Sequence, residues 1–99
     1  MMFMVVERFK DRDAEAVYRR FRERGRMAPE NLAYVGSWAE ANLDRCFQLV
    51  ECDDLRLLQR WVANWRELAE FEIVPVVESK DTADVFAPAD TLEDGASSS

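Results

Sequence analysis

Hydrophobic and polar residues change their spacing several times along the chain, and each change marks an element. Residues 2–9 (MFMVVERF) are apolar, β-branched and aromatic for most of their length, which predicts a strand. Asp11 or Asp13 can then cap a helix whose apolar positions, Ala14, Val17, Tyr18 and Phe21, follow helical spacing. Gly25 stands where such a helix commonly ends, and Pro29 lies in the loop beyond it. Residues 32–41 (LAYVGSWAEA) predict a second strand, in which Gly36 marks a bulge or a close backbone approach. Turn residues at 42–44 precede a third strand at 45–52 (RCFQLVEC), so this pair reads as a hairpin. Asp53 and Asp54 offer an N-cap to a second helix over about 55–68, with Leu55, Leu58, Val62 and Trp65 as its apolar stripe. Residues 69–77 (AEFEIVPVV) form a fourth strand. Pro75 has no N–H for a ladder, so that strand lies at a sheet edge or stops there. Residues 82–86 suit one docked turn of helix. Residues 87–99 (APADTLEDGASSS) carry few large apolar side chains and are expected to be disordered.

The order is β-α-β-β-α-β, the split arrangement of the ferredoxin-like fold in the α+β class. It places two helices on one face of a four-stranded antiparallel sheet. Residues 1–78 make one domain, followed by an acidic C-terminal extension at 79–99. Side chains alternate along a strand, so each strand divides into two sets. The first strand gives Met2, Met4, Val6 and Arg8 against Phe3, Val5, Glu7 and Phe9. The third gives Cys46, Gln48, Val50 and Cys52 against Phe47, Leu49 and Glu51. Neither set is polar enough to be simply solvated, although a sheet with one wet face alternates cleanly. An apolar face beyond the one the helices cover needs a second cover, and another copy of the chain supplies it. A homodimer is expected.

Composition narrows the chemistry. The 99 residues include no His and two Cys, which excludes imidazole acid–base catalysis, His metal sites and a Cys-rich zinc site. The EF-hand spacing, the P-loop and the dinucleotide glycine fingerprint are all missing, and neither a metal nor a cofactor is expected. No apolar run approaches the ~18 residues of a membrane span and no signal peptide shows, so a cytoplasmic protein with no membrane partner is expected. Formal net charge is −7, most of it beyond the strands: Glu78, Asp81, Asp84, Asp90, Glu93 and Asp94 stand against Lys80 alone. Residues 8–26 are rich in arginine, but acids are interspersed and the chain is acidic overall, which argues against a nucleic-acid partner.

Candidate chemistry gathers on the strands. Glu7 and Glu51 fall on neighbouring strands and are expected to share a face with Phe3, Val5, Phe47 and Leu49, joined by Glu72 if register allows. A carboxylate among apolar groups resists ionising and becomes an acid or base near neutrality. The competing reading is that these glutamates are solvated near strand ends or paired with arginine. Tyr34 and Trp38, at alternate positions around Gly36, are expected to line a ligand pocket from one face, or to serve as core or interface. Gln48 is a buried amide that must find partners in the protein, a ligand or a dimer mate. Trp61 and Trp65, four residues apart on one side of a helix, read as core packing. Cys46 and Cys52 share a strand face six residues apart, too far for a disulfide within one strand, and read as buried thiols.

The segments MMFMVVERFKDRDAEAVYRRF (1–21), YVGSWAEA (34–41), RCFQLVECDD (45–54) and WRELAEFEIVPVV (65–77) resemble a family of short bacterial proteins catalogued as a domain of unknown function. That family is similar to the dimeric α/β-barrel proteins, which pack two ferredoxin-like sheets into one barrel. The resemblance covers residues 1–77 and brings no reaction with it. The wider group includes heme-degrading and polyketide monooxygenases, muconolactone isomerases and stress-induced proteins, many of which enclose a small apolar molecule. Three expectations follow. One is a homodimer that binds a small apolar or amphipathic molecule in a cavity bounded by the sheet. The second is a cofactor-independent isomerase- or monooxygenase-like enzyme using a buried glutamate. The third is a protein-interaction module without a ligand.

Overall fold

A computed structural model describes residues 1–88. Strand β1 (Met2–Phe9) leads through a short 3-10 turn (Lys10–Arg12) into helix α1 (Ala14–Arg24). Strands β2 (Ala33–Ala39) and β3 (Arg45–Glu51) form the hairpin, and helix α2 (Leu55–Trp65) leads to β4 (Ala69–Val76). A last helix, α3 (Ser79–Phe86), follows. The four strands make one antiparallel sheet in the order β2-β3-β1-β4. This is the expected α+β, ferredoxin-like arrangement.

Local chemistry sets the boundaries. Asp13 caps α1 by accepting a hydrogen bond from the Ala16 N–H at 3.0 Å, and Gly25 ends it at φ 71°, where a Cβ would be strained. Asp54 caps α2 by accepting from the Arg56 N–H at 2.9 Å. The Arg56 guanidinium also grips the Asp54 carboxylate and holds it at about 2, well below the usual range. Across the hairpin mouth Arg45 donates twice to one oxygen of Glu40, at 2.7 and 3.1 Å. Pro75 falls on β4, an edge strand, where its missing N–H is tolerated.

Strands β2, β3 and β4 are shorter by one to three residues than the expected 32–41, 45–52 and 69–77, and both later helices differ as well. Helix α2 stops at Trp65, not at residue 68, because Ala69 must already pair with Phe9 to start β4. The C-terminal helix is longer than one turn and is not docked: Val85 is 76% and Phe86 83% exposed. Two adjacent apolar residues point about 100° apart on a helix and cannot form a stripe to bury. The disorder expected from residue 87 falls almost wholly outside the described residues.

The core lies between the helices and one face of the sheet. Phe3, Val5 and Phe9 from β1 meet Val50 from β3, Val17 from α1, and Leu58, Trp61 and Trp65 from α2. Val5, Val50 and Leu58 are almost wholly inaccessible.

Cross-strand partners settle which residues share a face. On the helix side one row runs Ala39, Cys46, Glu7, Phe71, and the next runs Ser37, Gln48, Val5, Ile73. On the opposite side the rows run Trp38, Phe47, Val6, Glu72 and Gly36, Leu49, Met4, Val74. Most of these open-face residues are half-buried, while Trp38 is 57% exposed.

Candidate functional site

Among the described residues, the buried polar side chains are Glu7 and Gln48, and they meet. The Gln48 Nε2 donates to Glu7 Oε1 at 3.4 Å, a long bond inside the core. Their position follows from register. Glu7 is the third of four inward residues on β1, opposite Cys46, with Gln48 beside it on the same face of β3. The sheet therefore carries a short polar track, Glu7, Cys46, Gln48 and Ser37, across an otherwise apolar surface.

That track forms one wall of a cavity of about 80 Å³. Helix α1 contributes Val17, Tyr18 and Phe21; α2 contributes Trp61 and Trp65; the loop after α1 contributes Arg26. Of these, Tyr18 and Phe21 are each partly exposed, so the cavity wall they form also meets solvent. The loop is pinned from below. Both Trp61 Nε1 and Trp65 Nε1 donate to the Arg26 carbonyl at 2.9 Å, and Asn64 Nδ2 donates to the Met27 carbonyl at 3.1 Å. The Arg26 guanidinium stacks on the Tyr34 ring, 3.8 Å from its centroid, and lies 5.1 Å from that of Phe21. It also donates to the Tyr34 hydroxyl at 3.2 Å.

Burial governs the electrostatics. Glu7 is 5% exposed, and loss of hydration raises its carboxyl from 4.5 to about 7, against partial relief from hydrogen bonds with Cys46 and Gln48. Burial and the nearby Glu7 push the Cys46 thiol up to about 11, so it stays protonated and unreactive at neutral pH. Burial first, then Cys46 and Glu7, also raise the Tyr18 phenol. The site thus holds one carboxyl that gains or loses a proton near neutrality, beside an amide, a thiol and a hydroxyl. Such a carboxyl can donate a hydrogen bond when neutral, or move a proton as acid or base. Among the described residues, no group of three His, Cys, Asp or Glu is placed to hold a metal ion.

The structure brings some of the sequence candidates together and separates others. Glu7 and Gln48 share the cavity. Glu51 does not join Glu7: it pairs with Met2 on the open face and is exposed. Alternation divides β1, β3 and β4 correctly, but the register joins the Glu7 set to Cys46 and Gln48 instead of to Phe47 and Leu49. Glu72 pairs with Val6 and is also on the open face. Tyr34 and Trp38 are split by an irregularity between Tyr34 and Gly36, which turns Tyr34 to the helix side opposite Val50. Trp38 lies on the open face along its own strand. Its ring comes 3.3 Å from where a Cβ on residue 36 would sit, so the glycine is what lets the indole lie flat. Arg26 and Ser37 were not anticipated as site residues. The i, i+4 pair Trp61 and Trp65 carried the available signal, since two indole N–H groups on one buried helix side require acceptors. Cys46 and Cys52 are both buried and free, as expected.

An α+β sheet domain with one polar-tracked cavity under its helices defines the class of protein. The chain belongs to a family described as a Domain of unknown function (DUF3303), whose model matches residues 1–90. No curated protein and no solved structure matches it.

Proposed function

We propose that this protein is a homodimer that binds a small amphipathic molecule in the cavity between its sheet and helices. The observation that carries this reading is Glu7, a carboxyl held in a cavity whose helix side is walled by Val17, Tyr18, Phe21, Trp61 and Trp65. Keeping a carboxyl there costs stability that an apolar side chain of similar size would not, and such expense is typical of functional sites. Gln48 and Glu7 supply polar groups to orient a ligand, while Tyr18, Phe21 and the two indoles supply apolar surface.

The homodimer rests on the open sheet face. Met4, Val6, Phe47, Leu49, Val74 and Trp38 form a contiguous apolar surface that helices α1 and α2 do not cover. A second copy packing face to face buries it, in the manner of the α/β barrels that the sequence resembles. In this arrangement Trp38, Glu51 and Glu72 serve the interface and its rim, not the cavity. The same Glu7 supports a second reading, a cofactor-independent enzyme in which this carboxyl is the acid or base, because its proton is exchangeable near neutral pH.

Native mass spectrometry of freshly purified protein tests the proposal. The expected species has twice the 11.5 kDa chain mass and takes up small amphipathic molecules, with uptake lost when bulk fills the cavity in Ser37→Trp. A bare monomer that takes up none of them would overturn both parts.

A further inference from the structure

Arg26 is the cation of the cavity, and what sets it apart from the other arginines is that aromatic groups hold it at the cavity wall. Arg12, Arg20, Arg45 and Arg56 each have a carboxylate within ion-pair distance, at 2.7 to 3.8 Å. Among the described residues Arg26 has none. Its guanidinium is instead fixed by two aromatic rings and one phenol oxygen, which hold it in place without neutralising its charge. The backbone beneath it is anchored by two indoles on one carbonyl. A positioned and unpaired guanidinium facing a partly dry cavity is an anion receptor. Across the cavity the Glu7 carboxyl and the Gln48 amide present hydrogen-bonding groups in a low-dielectric wall.

Resting on the cavity reading above, we propose that the ligand is a short amphipathic carboxylate, its anionic head held by Arg26 and by the Glu7 carboxyl. Glu7 takes part as the neutral acid, donating its O–H to the ligand's oxygen, since two carboxylates in one dry site repel. An amine is the wrong partner, because seating it on an ionised Glu7 would bring it beside Arg26. Size fits the head group. A cavity of about 80 Å³ is roughly half the ~150 Å³ that accommodates benzene, so a carboxylate and one or two carbons enter. The rest of the chain reaches solvent along the wall that holds the partly exposed Tyr18 and Phe21.

Binding then couples to one proton. The titratable and charged groups around Glu7 are Cys46 on β3, Tyr18 on α1 and Arg26 in the loop. The thiol and phenol are both pushed up and stay neutral through neutral pH, so Glu7 is the group that switches. Anion affinity is therefore greatest below about pH 7 and falls by up to about tenfold per pH unit above it.

The test titrates the full chain with butyrate, butyramide and butylamine, following the Trp61 and Trp65 indole N–H resonances by NMR at about pH 6 and pH 8. Butyrate is expected to saturate at pH 6 about tenfold or more tighter than either isostere, and to weaken about tenfold at pH 8. Arg26→Gln, which keeps the anchoring carbonyl, is expected to reduce butyrate to the affinity of butyramide. Glu7→Gln, a permanently neutral donor, is expected to remove the pH dependence. Butyramide or butylamine binding as well as butyrate would overturn the anion assignment while leaving the cavity reading intact. Unchanged butyrate affinity in Arg26→Gln would overturn the role of the guanidinium. Failure of all three probes to move either indole would count against the cavity reading itself.

Discussion

Replacing Glu7 by glutamine keeps the side chain's shape and an acceptor for Gln48, and removes only the titration. In the unfolded chain the Glu7 carboxyl ionises at 4.5, and in the folded protein at about 7. Between those values the folded state holds a proton that the unfolded state has released, so folding takes up a proton and stability declines as pH rises. The decline is complete above about pH 7, and at roughly 1.4 kcal/mol per pH unit it reaches about 3 kcal/mol. That is a large share of the ~5–15 kcal/mol that holds a typical domain together. Glu7→Gln has no such dependence. Urea unfolding followed by tryptophan fluorescence, at one protein concentration, reads the difference. The advantage of Glu7→Gln over the natural chain is expected to grow by roughly 2–3 kcal/mol between pH 5 and pH 8, with the m-value unchanged. A difference that stays constant over that range would refute the reasoning, because it would mean that Glu7 ionises alike in the folded and unfolded chain.

Other consequences follow from the same contacts. Trp61→Phe and Trp65→Phe each leave the Arg26 carbonyl one donor, so each is expected to cost about 1 kcal/mol in chemical denaturation. The double variant removes the last donor and is expected to exceed the sum of the two by about 1 kcal/mol; simple additivity would contradict the shared-acceptor geometry. Leu49→Lys puts a charge in the middle row of the open sheet face, beside Met4 and Gly36, and is expected to convert the proposed dimer to monomer by light scattering with its far-UV circular dichroism retained. A dimer that survives this change would place the interface elsewhere. Asp13→Ala removes the acceptor for the Ala16 N–H and is expected to lower stability by about 1 kcal/mol without altering ligand uptake, which thermal melts with and without butyrate check.

Much of the architecture was legible from local pattern. The apolar runs, the caps at Asp13 and Asp54 and the stop at Gly25 are decided within a few residues of chain, and they mark out the elements. The edge position of β4 was legible too, because Pro75 cannot donate. The partition of β1, β3 and β4 into two sets also follows from alternation alone. What alternation cannot supply is which set of one strand lies beside which set of the next, since a shift of one residue exchanges the faces. Glu7 and Glu51 were separated for this reason. Tyr34 and Trp38 were separated by one extra residue near Val35, a distortion that Gly36 hints at without giving its direction. Arg26 was the least visible. It lies in a loop, and its meaning comes from Tyr34, Phe21, Trp61 and Trp65, which only the tertiary fold brings around it.

The central claim is that the Glu7 carboxyl gains and loses its proton near neutral pH inside a cavity that accepts an anion. The most direct measurement is a pH titration of the Glu7 side-chain carboxyl by carbon-13 NMR, with and without butyrate. The account predicts a midpoint of about 7 for the free protein and a higher one when butyrate is bound. A midpoint near the ordinary 4.5, unmoved by butyrate, would contradict it.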